Sequence, residues 1–244
     1  MNVGVIPARL GSTRFPKKIL EPIEGKPMIA YVVEQAQKSQ LLDKVILAID
    51  SEETRKSLSS FDFEMVMTSN DHVSGTDRVV EVINTIDEAE IIINIQGDEP
   101  LIDPKIIDGL VSTFNNPTVN ISTVVSRKLT VSDLLNPNMV KVLLDEQSNC
   151  IDFKRDVFDL EIGGVYKHIG IYGYRRNSLF QFSMLKSTER EKSRSLEQLR
   201  LLDNGIKILA MISNCEQWAV DTKEDLEKVK QMMAATKITI DEES

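Results

Sequence analysis

Four stretches of this 244-residue chain gather side chains suited to a phosphorylated or acidic ligand. In the first, Pro7-Ala8-Arg9-Leu10-Gly11-Ser12-Thr13-Arg14-Phe15-Pro16-Lys17-Lys18, four cations, one glycine and two hydroxyls follow a short apolar run. Backbone N–H groups and cations at that density can surround several oxygens of a polyphosphate. The stretch is neither a GxxxxGK(S/T) loop nor a GxGxxG turn. Composition alone fits a solvated basic loop equally well. The second stretch runs from Met67 to Arg78, where Ser74-Gly75-Thr76 can bring amides and hydroxyls against a base or ribose and Arg78 adds a cation. Either hydroxyl taken alone reads as a helix N-cap. Asp71 and His72 in the same loop read as loop caps or as ligand contacts.

The third stretch is the most pointed. Ile91-Ile92-Ile93-Asn94-Ile95 is almost wholly apolar, and Gln96-Gly97-Asp98-Glu99-Pro100 follows it. An acidic pair just past a buried strand can present a carboxylate to a divalent metal that bridges nucleotide phosphates. Asp221, ahead of the last helix, is a second carboxylate, and together with Asp98 it could clamp one or two Mg²⁺ ions. Read in isolation, Asp221 is a helix cap. The fourth stretch spreads over Arg155, Lys167 to Arg175 and Leu196 to Arg200. Strand alternation puts His168 and Tyr172 on one face, with Ile169 and Ile171 on the other. With Arg155, Glu197 and Gln198, that face suits a hydroxylated, negatively charged small molecule, while a lone His168 also reads as a structural histidine.

The elements that must position these residues follow from periodicity. Asn2 to Ile6, Lys44 to Ile49, Glu64 to Met67, Glu90 to Ile95 and Ile121 to Val125 read as strands. Met28 to Ser39, Glu52 to Ser60, Thr76 to Ile86 and Pro104 to Asn115 read as helices. Such alternation predicts a mostly parallel sheet covered on both faces, with ligands beyond the carboxyl ends of its strands. After Val125 the rhythm changes: Met139 to Leu144 and Cys150 to Phe153 predict a hairpin, Tyr166 to Gly173 a strand, Ser193 to Leu202 a helix and Lys207 to Ile212 a strand. Thr222 opens a final helix, with Asp225 completing a capping box. The expected fold class is α/β, with an inserted smaller antiparallel lobe.

Lys and Arg number 29 against 38 Asp and Glu, a net charge of −9, which excludes a nucleic-acid surface as partner. Phosphate must instead be met locally, by Arg9, Arg14, Lys17, Lys18 and Arg78 converging at one sheet edge. The longest apolar run, Met28 to Val33, has six residues, where a membrane span needs about 20, so no membrane insertion is expected. The start lacks the pattern of a secretory signal. Cys150 and Cys215 are too few for a zinc cage and read as reduced thiols, so a cytoplasmic location is expected.

Taken in order, IPARLGSTRFPKK, GKPMI, MTSNDHVSGTDR, NIQGDEP, NPNMVKVLLD, KHIGIYGYR, LEQLRLLDNGIKI and VDTKEDL resemble the 3-deoxy-manno-octulosonate (Kdo) cytidylyltransferases, or CMP-Kdo synthetases, across almost the whole chain. The resemblance implies a Rossmann-like nucleotidyltransferase sheet flanked by helices. It also implies transfer of CMP from CTP to an eight-carbon acidic sugar, with release of pyrophosphate, for lipopolysaccharide core synthesis. Ala8, Arg9 and Lys18 would meet the triphosphate, and Ser74, Gly75, Arg78 and Gln96 the cytidine side. Asp98 and Asp221 would hold Mg²⁺. Arg155, His168, Tyr172, Glu197 and Gln198 would line the sugar pocket. The catalytic set is then Arg9, Lys18, Asp98 and Asp221. The family also implies a cytoplasmic homodimer, a single domain over residues 1–244, and a lobe at about 126–190 that serves sugar binding and dimerisation.

The chain departs from the family pattern in places. Lys17-Lys18-Ile19-Leu20 stands where Gly-Lys-Pro-Leu is usual, and Asp152-Phe153-Lys154-Arg155-Asp156 replaces Tyr-Phe-Ser-Arg-Ser. Arg194 reverses the charge of a customary glutamate, while Glu191 keeps another. The expected sugar is accordingly Kdo or a close relative such as its 8-amino form, whose ammonium Asp152 or Asp156 could meet. A CMP-transferase for a nine-carbon acidic sugar and a non-catalytic nucleotide-binding relative are the other readings. QGDEP and LEQLR argue against the first, and retention of both Asp98 and Asp221 against the second.

Overall fold

Strands apolar at every position can be buried on both faces, and that pattern builds the centre of the molecule. The computed structural model describes residues 1–11, 15–156, 164–216 and 218–242, leaving aside the side chains of 236–242. Arg14, Ser12 and Thr13 lie outside the described residues. The first half comprises β1 (Asn2–Ala8), the small hairpin β2 (Pro22–Ile23) and β3 (Lys26–Pro27), α1 (Met28–Ala36), β4 (Lys44–Ile49) and α2 (Glu52–Ser57). It continues through β5 (Met65–Met67), α3 (Gly75–Ile83), β6 (Ile91–Asn94), α4 (Pro104–Ser112) and β7 (Ile121–Ser126). The second half comprises α5 (Val131–Leu135), β8 (Lys141–Leu144), β9 (Cys150–Lys154), β10 (Val165–Arg175) and α6 (Arg176–Met184). It ends with α7 (Glu189–Arg194), α8 (Leu199–Asp203), β11 (Leu209–Ser213) and α9 (Lys223–Glu242).

The main sheet runs β11-β7-β10-β6-β1-β4-β5. β1 pairs in parallel with β4 and β6, β4 with β5, and β7 with β11. β10 lies antiparallel between β6 and β7, and its first residues also pair with β8, which carries β9. The expected mostly parallel α/β sheet with a smaller antiparallel part is therefore the observed one, the antiparallel part being continuous with the main sheet. Successive residues serve opposite faces: Val5, Ile46 and Ile92 join α3, α6 and α8 in one core, and Ile6, Leu47 and Ile93 join α1 and α4 in the other.

A third, smaller core places the site. Phe15, Ile23 and Met28 pack with Val220, Leu226 and Val229, so α9 lies against the β2–β3 hairpin. The turn of that hairpin uses Glu24 at φ 48° and Gly25 at φ 82°, the left-handed pair a two-residue loop demands. The last helix thereby returns to the loop that follows β1.

Two elements differ from expectation. The helix expected over Ser193 to Leu202 is two, because Ser195 adopts φ 52° and ψ 49° and ends α7 there. Its true start is the capping box of Thr188 with Glu191, and Leu196 is turned into the core between the two helices. Helix α6 has no counterpart in the periodicity reading, since only Leu179 and Phe182 of its nine residues are buried. The capping box at Thr222 and Asp225 forms as expected. Among the described residues, no helix is long and apolar enough to cross a membrane.

Candidate active site

A cleft of about 300 Å³ opens where the carboxyl ends of β1 and β6 meet the loop before α3, the place an open α/β sheet offers a ligand. Arg9 and Lys18 line it from the first loop, Ser74, Gly75 and Arg78 from the second, and Gln96, Asp98 and Asp221 from the third and the chain's last loop. Ala8 is buried beneath it at the end of β1. Gly97 holds the strand ends together, since a Cβ there would stand 3.1 Å from the Pro7 carbonyl oxygen.

Lys18 is the hub. Its Nζ donates to Asp98 Oδ2 at 2.8 Å, to Asp221 Oδ1 at 3.2 Å and to the Val220 carbonyl at 2.9 Å. The Val220 N–H donates in turn to the Asp98 carbonyl at 2.8 Å. Only 14% of the Lys18 side chain is exposed, so these ion pairs are screened less than those at an open surface. Asp221 does not cap the last helix: Thr222 does, and the Asp221 carboxylate faces Lys18. The two carboxylates expected to act as a pair are thus brought to one cation.

The other expected cations divide. Lys17 turns away to Glu53, 2.6 Å distant, and both side chains are well exposed, so it does not join the cleft. Arg78 lines the cleft but is buried. Its guanidinium bonds Thr68 and Asp50, the latter at 3.2 Å, and Asp50 also accepts from the Leu10 N–H at 2.9 Å. Arg78 therefore braces the first loop from behind, and among the described residues Arg9 and Lys18 are the expected cations that remain for a ligand's phosphates. His72 is paired with Glu81, and this pairing helps hold the Glu81 carboxyl below its ordinary range.

The second loop divides its labour as well. Ser74 and Asp77 form the capping box of α3, whereas Thr76 donates to Glu197 Oε2 at 2.8 Å. Burial pushes Glu197 above its ordinary value. Glu197 Oε1 is 3.8 Å from Arg200, which Glu191 grips through both carboxylate oxygens. Gln198 is buried beside it.

β10 presents His168 and Tyr172 on one face, as alternation requires, and places Ile169 and Ile171 in the core opposite. Its register with β7 jumps from Ile169–Val124 to Tyr172–Thr123, and Thr123 fills the irregularity by donating to the Ile171 carbonyl at 2.9 Å. The Tyr172 hydroxyl and His168 Nε2 are hydrogen-bonded at 3.0 Å, and Thr123 Oγ1 lies 3.1 Å from the same nitrogen. Burial, with Arg155 adding to it, holds the His168 ring well below its ordinary pKa, so it is neutral. Gly170 brings this strand to the cleft, because a Cβ there would lie 3.4 Å from Gln96 Cγ. Arg155 stands apart: its Nη1 donates to the Asn138 carbonyl at 3.1 Å, and it lines a second cavity of about 260 Å³ with Lys154, Asp156, Ser193 and Arg194.

Sequence reasoning missed several supporting residues. Asp50 is an ordinary charge in the sequence; Arg200 closes the fourth stretch and Glu191 keeps a customary glutamate, but only the Thr188-x-x-Glu191 box signals locally where either is held. Lys141 is 1% exposed, with its Nζ on the Asn136 and Arg155 carbonyls at 2.7 Å, so it ties the residue expected to meet the sugar to the preceding loop.

The mostly parallel sheet with the cation–dicarboxylate cleft at its strand ends is that of a nucleotidyltransferase fold. The sequence profile described as Cytidylyltransferase matches residues 3–208. The 3-deoxy-manno-octulosonate cytidylyltransferase of Pelobacter propionicus is 41% identical over 252 residues, covering 96% of this chain and 98% of that protein. The enzyme of the same name from Geobacter sulfurreducens is 41% identical, covering 94% and 98%. A solved structure of CMP:2-keto-3-deoxy-manno-octonic acid synthetase complexed with CTP superposes with a TM-score of 0.90 at 37% identity, covering 96% of this chain and 99% of that one. The chain belongs to the 3-deoxy-manno-octulosonate cytidylyltransferase family.

Proposed function

We propose that this enzyme transfers CMP from CTP to the anomeric hydroxyl of Kdo and releases pyrophosphate, activating the sugar for lipopolysaccharide core synthesis. The observation that carries this reading is the meeting of Lys18, Asp98 and Asp221 in one cleft, from positions far apart in the chain.

Arg9 and Lys18 receive the triphosphate and stabilise the charge that grows on the departing pyrophosphate. Ser74 and Gly75 of the second loop and Gln96 of the third hold the cytidine side, while Arg78 braces the first loop. Glu197, Gln198, His168 and Tyr172 orient the sugar, with His168 acting as a neutral hydrogen-bonding group. Arg155, on the rim of the second cavity, meets the acidic end of the sugar from the lobe at about 126–190, which also contributes the contact of a homodimer. The protein works in the cytoplasm, where CTP is available.

Asp98 and Asp221 would hold Mg²⁺. Among the described residues no group of three or more His, Cys, Asp or Glu could hold a metal. Two carboxylates beside a phosphate-sized space nevertheless fit Mg²⁺, which is commonly held by one or two carboxylates together with substrate phosphates and water. When bound, Mg²⁺ supplies polarisation of the α-phosphate and screens the triphosphate charge.

Of the two carboxylates offered to an 8-amino sugar, Asp152 is already met by Arg190 and Arg194, at 3.5 and 2.8 Å, which favours Kdo, and Asp156 on the second cavity is the one left to meet an ammonium. The test is pyrophosphate release from CTP and Mg²⁺ with a panel of Kdo, its 8-amino form and a nine-carbon acidic sugar. Release with Kdo foremost is expected. CTP binding without release on any acid would make the chain a binding protein instead.

A further inference from the structure

The Ser74-Gly75-Thr76 tripeptide faces two ways. Ser74 and Gly75 line the nucleotide cleft, and the Thr76 side chain, 4% exposed, gives its hydroxyl proton to Glu197, 121 residues further along, a carboxylate the Ser74 side chain also reaches. The helix does not need that hydroxyl, since Ser74 and Asp77 already complete its cap. On its other side Glu197 faces Arg200, which Glu191 fixes in place. One oxygen of this carboxylate is therefore referred to a rigid support and the other to the loop that touches the nucleotide.

On the reading of the cleft and sugar pocket given above, we propose that the Thr76–Glu197 hydrogen bond couples the two substrates. In this role Thr76 is a positioning residue that sets Glu197 for the sugar once the nucleotide has fixed the loop. A ligand that orders Ser74 and Gly75 also orders the backbone carrying Thr76. The sugar then meets a carboxylate whose orientation has already been selected, and less ordering remains to oppose its binding. Linkage makes the effect mutual: bound sugar must tighten the nucleotide by the same factor.

The test uses the full chain with Mg²⁺, Kdo and α,β-methylene CTP, a nucleotide that cannot release pyrophosphate. Calorimetry gives the Kdo dissociation constant with and without the nucleotide, and the nucleotide's own without Kdo, for the native chain, Thr76→Val and Thr76→Ser. Turnover of Kdo with CTP by the native chain is measured alongside. The native chain is expected to bind Kdo more tightly when the nucleotide is present. Thr76→Val, which keeps the shape and loses the donor, should forfeit about tenfold of that gain, the size of one hydrogen bond to a charged group, and Thr76→Ser should retain it. Thr76→Ala gives the same readout if valine crowds the site. Coupling that survives in both donor-free variants overturns the proposal. So does a loss of nucleotide affinity without sugar that matches the loss of sugar affinity, because the hydroxyl would then merely hold the loop. Absence of Kdo turnover by the native chain is a separate result that removes the functional reading itself, and the proposal with it.

Discussion

Arg194 Nη1 donates to Asp152 Oδ1 at 2.8 Å, joining α7 to β9 across 42 residues of sequence. Arg190 approaches the same oxygen at 3.5 Å, so one carboxylate is clasped by two turns of a helix. Both Asp152 and Arg194 keep partial contact with water, which limits the strength of the pair. A double-mutant cycle on Asp152→Ala and Arg194→Ala should give a coupling of up to about 1 kcal/mol in urea unfolding. Strictly additive losses would show that the contact contributes nothing.

Lys18 pairs with two carboxylates and lines the cleft, where in the proposed function it stabilises the departing pyrophosphate. Lys18→Met keeps the apolar stem and removes the charge. Its kcat should fall by about 10²- to 10³-fold, the usual loss when a preorganised group stabilising transition-state charge is removed, with a smaller change in the KM for CTP. An unchanged kcat with a raised KM would assign Lys18 to ground-state binding alone.

Removal of divalent metal with EDTA should stop pyrophosphate release, and added Mg²⁺ should restore it. Asp98→Asn and Asp221→Asn should each require more Mg²⁺ for half-maximal rate, because each keeps an oxygen ligand but loses its charge. Mg²⁺ saturation curves identical to the native one in both variants would place the metal elsewhere.

His168 gives the protein a definite pH dependence. Its folded pKa lies below the ordinary 6.5, so the unfolded chain takes up the proton first as pH falls. The stability it supports is complete above about 6.5 and is lost as pH drops from there towards the lower folded value. Between pH 7 and 5 the native chain should lose more unfolding free energy than His168→Gln, by at most about 1.4 kcal/mol per pH unit. Parallel pH profiles for the two proteins would count against a buried neutral ring.

Gly97→Ala adds a methyl 3.0 Å from Ile29 Cδ1 and 3.1 Å from the Pro7 carbonyl oxygen. The backbone oxygen cannot turn aside as a side chain can, so the segment after β6 must move from the end of β1 by a few tenths of an ångström at the floor of the cleft. Thermal or urea unfolding should register a loss of about 1–3 kcal/mol, accompanied by weaker CTP binding. Native stability in this variant would mean that the strand ends are looser than described.

The site was legible in the sequence wherever its residues sit in one local cluster. Arg9 with Lys18, Ser74 with Gly75, and Gln96 with Asp98 each follow or precede an element that periodicity reveals, and all line the cleft. What escaped depends on partners distant in sequence. Nothing near Thr76 announces Glu197, and nothing near Asp50 announces that it absorbs the charge of Arg78. Lys17 and Lys18 are neighbours of identical type, yet one reaches into the cleft and the other a solvated glutamate. The left-handed turn at Lys17, φ 58°, separates them, and no residue type signals it. The break at Ser195 was hidden for a related reason: Leu196 and Leu199 have helical spacing but belong to a turn and to the helix after it.

The contact of Val220 and Asp221 with Lys18 and Asp98 also has a bearing on how the protein is made. Parallel strands close slowly because their partners lie far apart in sequence, and this contact closes the longest loop at the site. A ribosome must release the chain past Asp221 before the cleft has both carboxylates. A chain ending at Ser213 would contain every described strand of the sheet but lack Asp221 and the Val220 carbonyl that accepts from Lys18. The pairing of the two carboxylates on Lys18 is therefore completed late in synthesis, after the described strands of the sheet.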